Sequence, residues 1–209
     1  MTYRRSQRGI ARLTAIVIGV ILAVGGASAA TKPDDCLQPP LKGPRWTWEQ
    51  GARVSVTIDP QFIDVPGGYQ ALVEALRRWE SAGSSDGNGS GVTFDVLDFG
   101  TAPPVGPTLR LSRGTLRTGG QARTSLWSAS GSLVRASCVI DERVTNPLAI
   151  LQVAVHEIGH TFGLAECDEC GYGSSVMTRS SGVDYNDTTS GAGWPSECDN
   201  AAVRENGGY

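Results

Sequence analysis

Two histidines stand four residues apart in this chain, and a glutamate directly follows the first of them. They are the only histidines present, and the segment reads His156-Glu157-Ile158-Gly159-His160. Side chains four residues apart on a helix project from the same face, so both imidazoles can bind one metal ion. Zinc is the metal that this spacing commonly serves, with the glutamate placed as a general base for water. The spacing therefore predicts a hydrolytic zinc site.

The residues after the second histidine extend the motif to H-E-x-x-H-x-x-G-x-x-E. Gly163 allows the backbone to turn back sharply. Glu166 can then reach the metal, and a carboxylate oxygen is an acceptable zinc ligand. Only Glu166 has the register of the motif, so we expect a His₂Glu site with an open position for water. Three other carboxylates remain alternatives for the third ligand: Asp168, Glu169 and Asp184.

A methionine follows in the segment Ser174–Thr178, which reads SSVMT. The segment is typical of a tight turn that places Met177 beneath a bound metal. The other methionine of the chain is Met1, at the N-terminus. Packing of Met177 in the core without any relation to a metal is the alternative interpretation.

Together, His156–Glu166 and Ser175–Thr178 resemble the metzincin clan of zinc metallopeptidases, in particular its matrixin-like secreted forms. The resemblance implies zinc ligands at His156 and His160, a catalytic base at Glu157 and a Met-turn at Met177. It also implies an α/β (α+β) fold. Such a fold has a twisted, mostly parallel five-stranded sheet and two long helices, with the active-site helix followed by the Met-turn and a short C-terminal subdomain. The chain departs from the family at the third ligand, which is usually histidine, sometimes aspartate.

The five cysteines cannot all pair within one chain. Cys167 and Cys170 directly follow the expected third ligand, and in an exported protein this spacing favours a disulfide that stiffens the ligand loop. The alternative is that both thiolates join a zinc site. Cys36, Cys138 and Cys198 then leave one pair and one free thiol, and the sequence does not decide between them.

The first thirty residues are typical of an export signal. Four arginines and no acidic residue surround the start of an apolar run, Leu13–Val24, which small residues follow. A transmembrane anchor is the alternative, but the run is shorter than the roughly 20 residues that a bilayer span needs. We expect cleavage after Ala29 or Ala30, a single metallopeptidase domain over residues 31–209, and a secreted or periplasmic protein.

Removal of the signal changes the formal charge from −3 to −7, because it removes four arginines and no acid. An acidic domain is a poor candidate for binding nucleic acid or an anionic membrane surface. We therefore expect a protein or peptide substrate, no nucleic acid, no membrane after signal cleavage, and a monomer.

The elements that must position the site alternate between strands and helices. Alternation of apolar and polar residues predicts strands at 53–59, 92–97, 109–111, 122–127 and 137–141. Helical spacing predicts an amphipathic helix over Tyr69–Ser81. A largely apolar helix is predicted from Pro147 to Phe162, with Asn146 as its N-cap and Gly163 as its stop. This order predicts a sheet domain rather than a helical bundle.

The function expected from these features is peptide-bond hydrolysis, with zinc as cofactor and Glu157 as general base. The rival is a secreted zinc-binding module, or an inactive relative, that binds a partner without catalysis. The intact Glu157 argues against the rival, because a purely structural zinc site does not need this carboxylate.

Overall fold

Five strands form one sheet in the computed structural model, which describes residues 38–82, 90–117, 119–170, 174–178 and 193–207. The order across the sheet is β2-β1-β3-β5-β4. All neighbouring pairs are parallel except β4 with β5, which is antiparallel. The predicted α/β fold with a mostly parallel five-stranded sheet is thereby confirmed. In chain order the strands are β1 (Arg53–Ile58), β2 (Thr93–Val96), β3 (Thr108–Gly114), β4 (Ala122–Ala129) and β5 (Ser132–Asp141).

Three strands, β3, β4 and β5, are longer than the alternation predicts. β5 begins at Ser132 rather than at residue 137. The sequence pattern misses the first part of this strand because Val134 and Arg135 are both exposed and interrupt the apolar-polar alternation. A register shift between Trp127 and Ser128 of β4 lies opposite this part of β5. β3 likewise extends beyond its predicted core at 109–111 in both directions.

Three α-helices occur in the part of the chain that the structure describes. The first two, α1 and α2, correspond to the predicted helices, whereas the sequence pattern does not predict α3. The buried apolar side chains of α3 are the small Ala202 and Val203. Its sequence therefore lacks the repeated large apolar residues that mark an amphipathic helix. The bounds are α1 (Gly68–Glu80), α2 (Pro147–Gly159) and α3 (Glu197–Gly207), and short 3₁₀ helices span Pro44–Trp46 and Pro60–Phe62.

The hydrophobic core lies between the sheet and the helices α1 and α2. Trp79 of α1 is fully buried, and its indole Nε1 donates a hydrogen bond to the backbone oxygen of Val155 in α2 at 2.7 Å. The same indole stacks on Phe162 with ring centroids 5.0 Å apart. A buried indole that also satisfies its N–H group holds α2 in one position on α1.

The start of α2 agrees with the sequence. The side chain of Asn146 accepts a hydrogen bond from the backbone N–H of Leu148 at 2.9 Å, and Pro147 occupies the first helical position. Both features satisfy or remove backbone donors that a helix N-terminus leaves unpaired.

The end of α2 comes earlier than predicted, at Gly159 instead of Phe162. The backbone N–H groups of residues 161, 162 and 163 bond to carbonyls three residues earlier, at 2.8, 3.0 and 3.1 Å, which tightens this turn. Gly163 then adopts a φ of +76°, the left-handed conformation that glycine tolerates. The chain therefore reverses direction immediately after the second histidine.

A segment near the start of the described chain lies along this reversal. Leu41 forms an isolated antiparallel bridge with Leu164. The backbone N–H of Lys42 bonds to the oxygen of Gly163, and that of Ala165 bonds to the oxygen of Pro40, both at 2.7 Å. These hydrogen bonds fix the backbone of residues 163–165, which directly precede Glu166.

Several predictions concern positions outside the described residues. These are the signal peptide at 1–30, Cys36 and the alternative ligand Asp184. Signal cleavage and the extent of the catalytic domain therefore stay predictions. Among the described residues, no helix combines the length and the apolar character that crossing a membrane requires.

Candidate metal centre

His156 and His160 present their Nε2 atoms to a common space beside the end of α2. The Nδ1 atom of His156 lies 2.8 Å from the backbone oxygen of Val176, and that of His160 lies 2.8 Å from the oxygen of Leu164. Because a carbonyl oxygen only accepts hydrogen bonds, each Nδ1 carries a proton. In the neutral rings the Nε2 lone pairs are then available, which is the tautomer that a metal ligand needs.

Glu166 faces both histidines. Its Oε2 lies 3.5 Å from Nε2 of His156, and its Oε1 lies 3.5 Å from Nε2 of His160. These distances exceed the ~2.7–3.2 Å of an ordinary N–H···O hydrogen bond. They are close to the about 3.4 Å that separates two ligand atoms on one tetrahedral zinc with bonds of about 2.0–2.2 Å.

The hydrogen-bond inventory supports the same interpretation. Oε2 of Glu166 is buried and has no hydrogen-bond partner in the described part of the chain. A buried carboxylate oxygen that faces an imidazole lone pair is unfavourable unless a cation lies between them. The donor set of two imidazoles and one carboxylate therefore fits a zinc ion.

The surroundings of His156 and Glu166 also shift the affinity of these two groups for protons. Burial by itself would lower the pKa of His156, but its contact with Glu166 and the charge of Glu157 outweigh burial and raise that pKa. Burial by itself would raise the pKa of Glu166, but the two histidines hold it well below its usual range. A proton and a metal ion compete for the same Nε2 atoms.

Glu157 is buried and lies beside the same space. One ring nitrogen of each histidine and one carboxylate oxygen of Glu157 lie within 4.8 Å of one another, a grouping that could hold a metal ion. By position alone, either Glu157 or Glu166 could be the third metal ligand. Oε2 of Glu157 accepts a hydrogen bond from the hydroxyl of Thr124, whereas Oε2 of Glu166 has no such partner. Glu166 therefore fits the role of ligand better, and Glu157 fits that of base.

The other carboxylates of the ligand loop differ from Glu166 in their exposure. Asp168 and Glu169 are exposed to solvent, whereas Glu166 is half-buried. Asp184 is outside the described residues.

Met177 lies beneath the helical turn that carries the histidines, and its side chain is fully buried. A Cβ atom at Gly159 would lie 2.5 Å from the Met177 Sδ and 2.9 Å from Cζ2 of Trp79. Real Cβ atoms do not make such contacts, because they overlap the neighbouring van der Waals surfaces. The glycine between the two histidines thus allows the methionine to pack directly against α2.

A buried carboxylate in α3 anchors the turn around Met177. Asp199 accepts hydrogen bonds from the Ser175 hydroxyl at 2.5 Å and from the Val176 N–H at 3.0 Å. It also accepts bonds from the backbone and hydroxyl of Ser196 at 2.8 and 2.9 Å. The oxygen of Val176 in turn accepts the bond from His156 described above. A continuous hydrogen-bonded path therefore runs from α3 to a histidine of the cluster.

The cysteines stiffen the loop that carries Glu166. Cys167 and Cys170 form the expected disulfide, so neither sulfur is a thiolate available to a metal. The backbone N–H of Cys167 also donates to the oxygen of Met177 at 2.9 Å. Cys198 is disulfide-bonded, and Cys138 is a buried free cysteine. The remaining cysteine, Cys36, lies outside the described residues.

Three residues near the site are not predicted from the sequence: Lys42, Thr124 and Asp199. Nζ of Lys42 lies 3.1 Å from Nδ1 of His160. The Nδ1 proton points to Leu164, so this proximity is electrostatic rather than a hydrogen bond. Burial lowers the pKa of Lys42, against the opposing charges of Glu166 and Glu157. No local pattern marks these residues, because tertiary contacts alone bring them to the site.

Comparison with known proteins finds solved structures that are similar at low identity. No protein-family model matches the sequence, and no curated protein matches it. One similar solved structure is the GM1-bound form of the ECX AB5 holotoxin, with a TM-score of 0.46, 14% identity and coverage of 77% of this chain and 83% of that chain. Archaemetzincin from Methanopyrus kandleri has a TM-score of 0.44, 15% identity and coverage of 74% and 94%. Myroilysin has a TM-score of 0.35, 15% identity and coverage of 59% and 54%. At these scores the similarity carries no argument about activity.

Proposed function

We propose that this chain is a secreted zinc-dependent endopeptidase. Its zinc ligands are His156, His160 and Glu166, and its general base is Glu157. The observation that supports this most strongly is the convergence of two Nε2 atoms on the two oxygens of one carboxylate, each at 3.5 Å. Export is supported by the predicted signal and by the disulfide between Cys167 and Cys170.

The residues divide the chemistry between them. A zinc ion held by the ligands would polarise the substrate carbonyl and lower the pKa of water towards about 7. Glu157 takes the proton of the attacking water and delivers it to the departing amine. The hydrogen bonds from His156 and His160 to backbone carbonyls keep both rings in the ligand tautomer.

A peptide substrate is supported by the position of β4. It is one of the two edge strands of the sheet, and β5 is the strand that pairs with it in the described part of the chain. An edge strand leaves backbone groups on which an extended peptide can form hydrogen bonds. Thr124 of this strand contacts Glu157, so a peptide along the open edge would pass close to the general base.

The decisive experiment replaces the base and keeps the ligands. Glu157→Gln should bind zinc with the stoichiometry of the wild type but lose casein hydrolysis by roughly 10²- to 10⁴-fold, the usual contribution of a general base. Glu169→Gln, an exposed residue of the ligand loop, is the matched control and should remain fully active. If Glu157→Gln cleaved casein as fast as the wild type, the proposed role of Glu157 would be wrong.

The same experiment separates the enzyme from the zinc-binding module considered above. A catalytic site predicts proteolysis by the wild type that a chelator abolishes and added zinc restores. Zinc bound at one equivalent without any cleavage of casein or gelatin would instead support the binding module.

A further inference from the structure

Thr124 lies on the face of β4 that points towards α2, and its hydroxyl contacts the proposed general base. The hydroxyl donates to Oε2 of Glu157 and also lies 3.2 Å from the backbone oxygen of that residue. Strand alternation places the neighbouring Ser125, which pairs with Ser137, on the opposite face of the sheet. Thr124 therefore brings a hydroxyl group of β4 to Glu157.

The Thr124 hydroxyl also contacts a buried thiol. Sγ of Cys138, the residue opposite Thr124 on β5, lies 3.1 Å from the Thr124 hydroxyl oxygen. Burial raises the pKa of the Cys138 thiol far above its usual range, so the thiol keeps its proton and acts as a donor. The thiol has two acceptors within reach, the Thr124 hydroxyl oxygen and, at 3.9 Å, the backbone oxygen of Glu157. A protonated thiol therefore does not need the single proton of the hydroxyl, which is available to Glu157. Among the acceptors that this hydroxyl contacts, a carboxylate oxygen forms the strongest bond with a hydroxyl donor.

We propose that Thr124 is a positioning residue for Glu157: its hydroxyl holds Oε2 of the carboxylate so that Oε1 is directed at the attacking water. The inference rests on the proposed function. A glutamate side chain has several rotatable bonds, and a base must lie within hydrogen-bond reach of the proton that it takes. A hydroxyl anchored on a strand of the sheet removes part of that freedom before substrate binds.

The test compares variants that differ at the hydroxyl. Thr124→Val keeps the shape of the side chain without the hydroxyl, whereas Thr124→Ser keeps the hydroxyl without the methyl group. We expect Thr124→Val to lower kcat by roughly 10- to 100-fold, the range typical for loss of a group that orients a site residue. KM and zinc affinity, measured by competition with a chromophoric chelator, should stay at wild-type values. Thr124→Ser should restore most of kcat, and Ser125→Val should match the wild type.

A merely structural role would give a different pattern. Thr124→Val could lower zinc affinity or the melting temperature along with kcat. In that case the kcat values of Thr124→Ser and Thr124→Ala are compared, because these two variants differ only by the hydroxyl. Equal kcat values for that pair would overturn the proposal, as would a Thr124→Val enzyme with an unchanged kcat. Loss of activity in Glu157→Gln together with an unchanged Thr124→Val would refute the Thr124 inference alone. Full activity of Glu157→Gln would refute the proposed function itself.

Discussion

At the scale of single residues, two glutamates differ in the partners that surround them. Glu166 faces two imidazole nitrogens and has a buried oxygen without a hydrogen-bond partner among the described residues. Glu157 follows His156 directly in the chain, yet its carboxylate is bonded to a hydroxyl of β4. The environment of each carboxylate, rather than its residue type, therefore separates the proposed ligand from the proposed base.

The sequence leaves the identity of the third ligand open, and replacement of Glu166 tests whether this residue is that ligand. Glu166→Ala should weaken zinc binding by more than the roughly 10- to 100-fold that loss of a hydrogen-bonded neighbour of a ligand costs. The reason is that a direct ligand is lost and two imidazoles remain. Chelator competition measures the affinity, and Glu169→Ala in the same loop is the control. Unchanged affinity in Glu166→Ala, with weakened binding in Asp184→Ala, would transfer the ligand role to Asp184.

At the scale of elements, the candidate metal centre depends on α2, on the turn around Met177 and on α3. α2 presents the histidines, and Gly159 allows the methionine to approach from below. The turn supplies the carbonyl of Val176 that orients His156. α3 supplies the carboxylate of Asp199 that holds the turn. No single element contains the site.

Replacement of Asp199 tests this dependence. Asp199→Asn keeps the shape of the side chain but replaces one acceptor oxygen by a donor that faces other donors. We expect a loss of about 1–3 kcal/mol in the free energy of unfolding, the cost typical of a buried polar group without its partner. Zinc affinity should fall as well, because the carbonyl that orients His156 is less firmly held. Urea unfolding and chelator competition measure the two effects, with the exposed Glu197→Gln of the same helix as the control. A lower free energy of unfolding with unchanged zinc affinity would show that the hydrogen-bonded path from α3 to His156 does not affect metal binding.

At the scale of the whole molecule, stability against acid depends on carboxylates that are buried and hydrogen-bonded. Asp141, at the end of β5, is fully buried. It accepts bonds from Nε and Nη2 of Arg143 at 2.7 and 2.9 Å and from the backbone N–H of Leu116 at 2.8 Å. The hydrogen bond from Arg143 is the largest favourable cause that holds the pKa of Asp141 well below its usual range, and it outweighs the opposing effect of burial.

The lowered pKa predicts how stability depends on pH. A carboxylate with a depressed pKa stabilises the folded state above its unfolded pKa of about 3.9, and this stabilisation is lost as pH falls towards the folded value. Asp141→Asn should therefore be less stable than the wild type at pH 7, by about 1–3 kcal/mol. The difference should narrow progressively below about pH 4. Urea unfolding at several pH values measures it, and a difference that stays constant down to pH 3 would contradict the assignment.

The sequence predicts those features that depend on neighbouring residues in the chain. Asn146 and Pro147 mark the start of α2, and the motif from His156 to Glu166 is local because one helix and one turn contain it. Thr124 and Asp199 contribute through contacts with residues 33 and 24 positions away in the chain. No periodicity encodes such pairs, because strand order and helix packing decide them. α3 escapes prediction for a different reason, since a helix with small buried residues lacks a hydrophobic period.

The anchoring of the turn by Asp199 has a consequence for the biosynthesis of the protein. A ribosome completes both histidines, Glu166 and Met177 before it adds the carboxylate that organises them. A prematurely terminated chain that ends before Asp199 would carry every proposed ligand without the anchor that holds His156 in its ligand orientation. Such fragments should bind zinc poorly and remain inactive, so the proposed proteolytic activity would arise only in chains that have been translated beyond this residue.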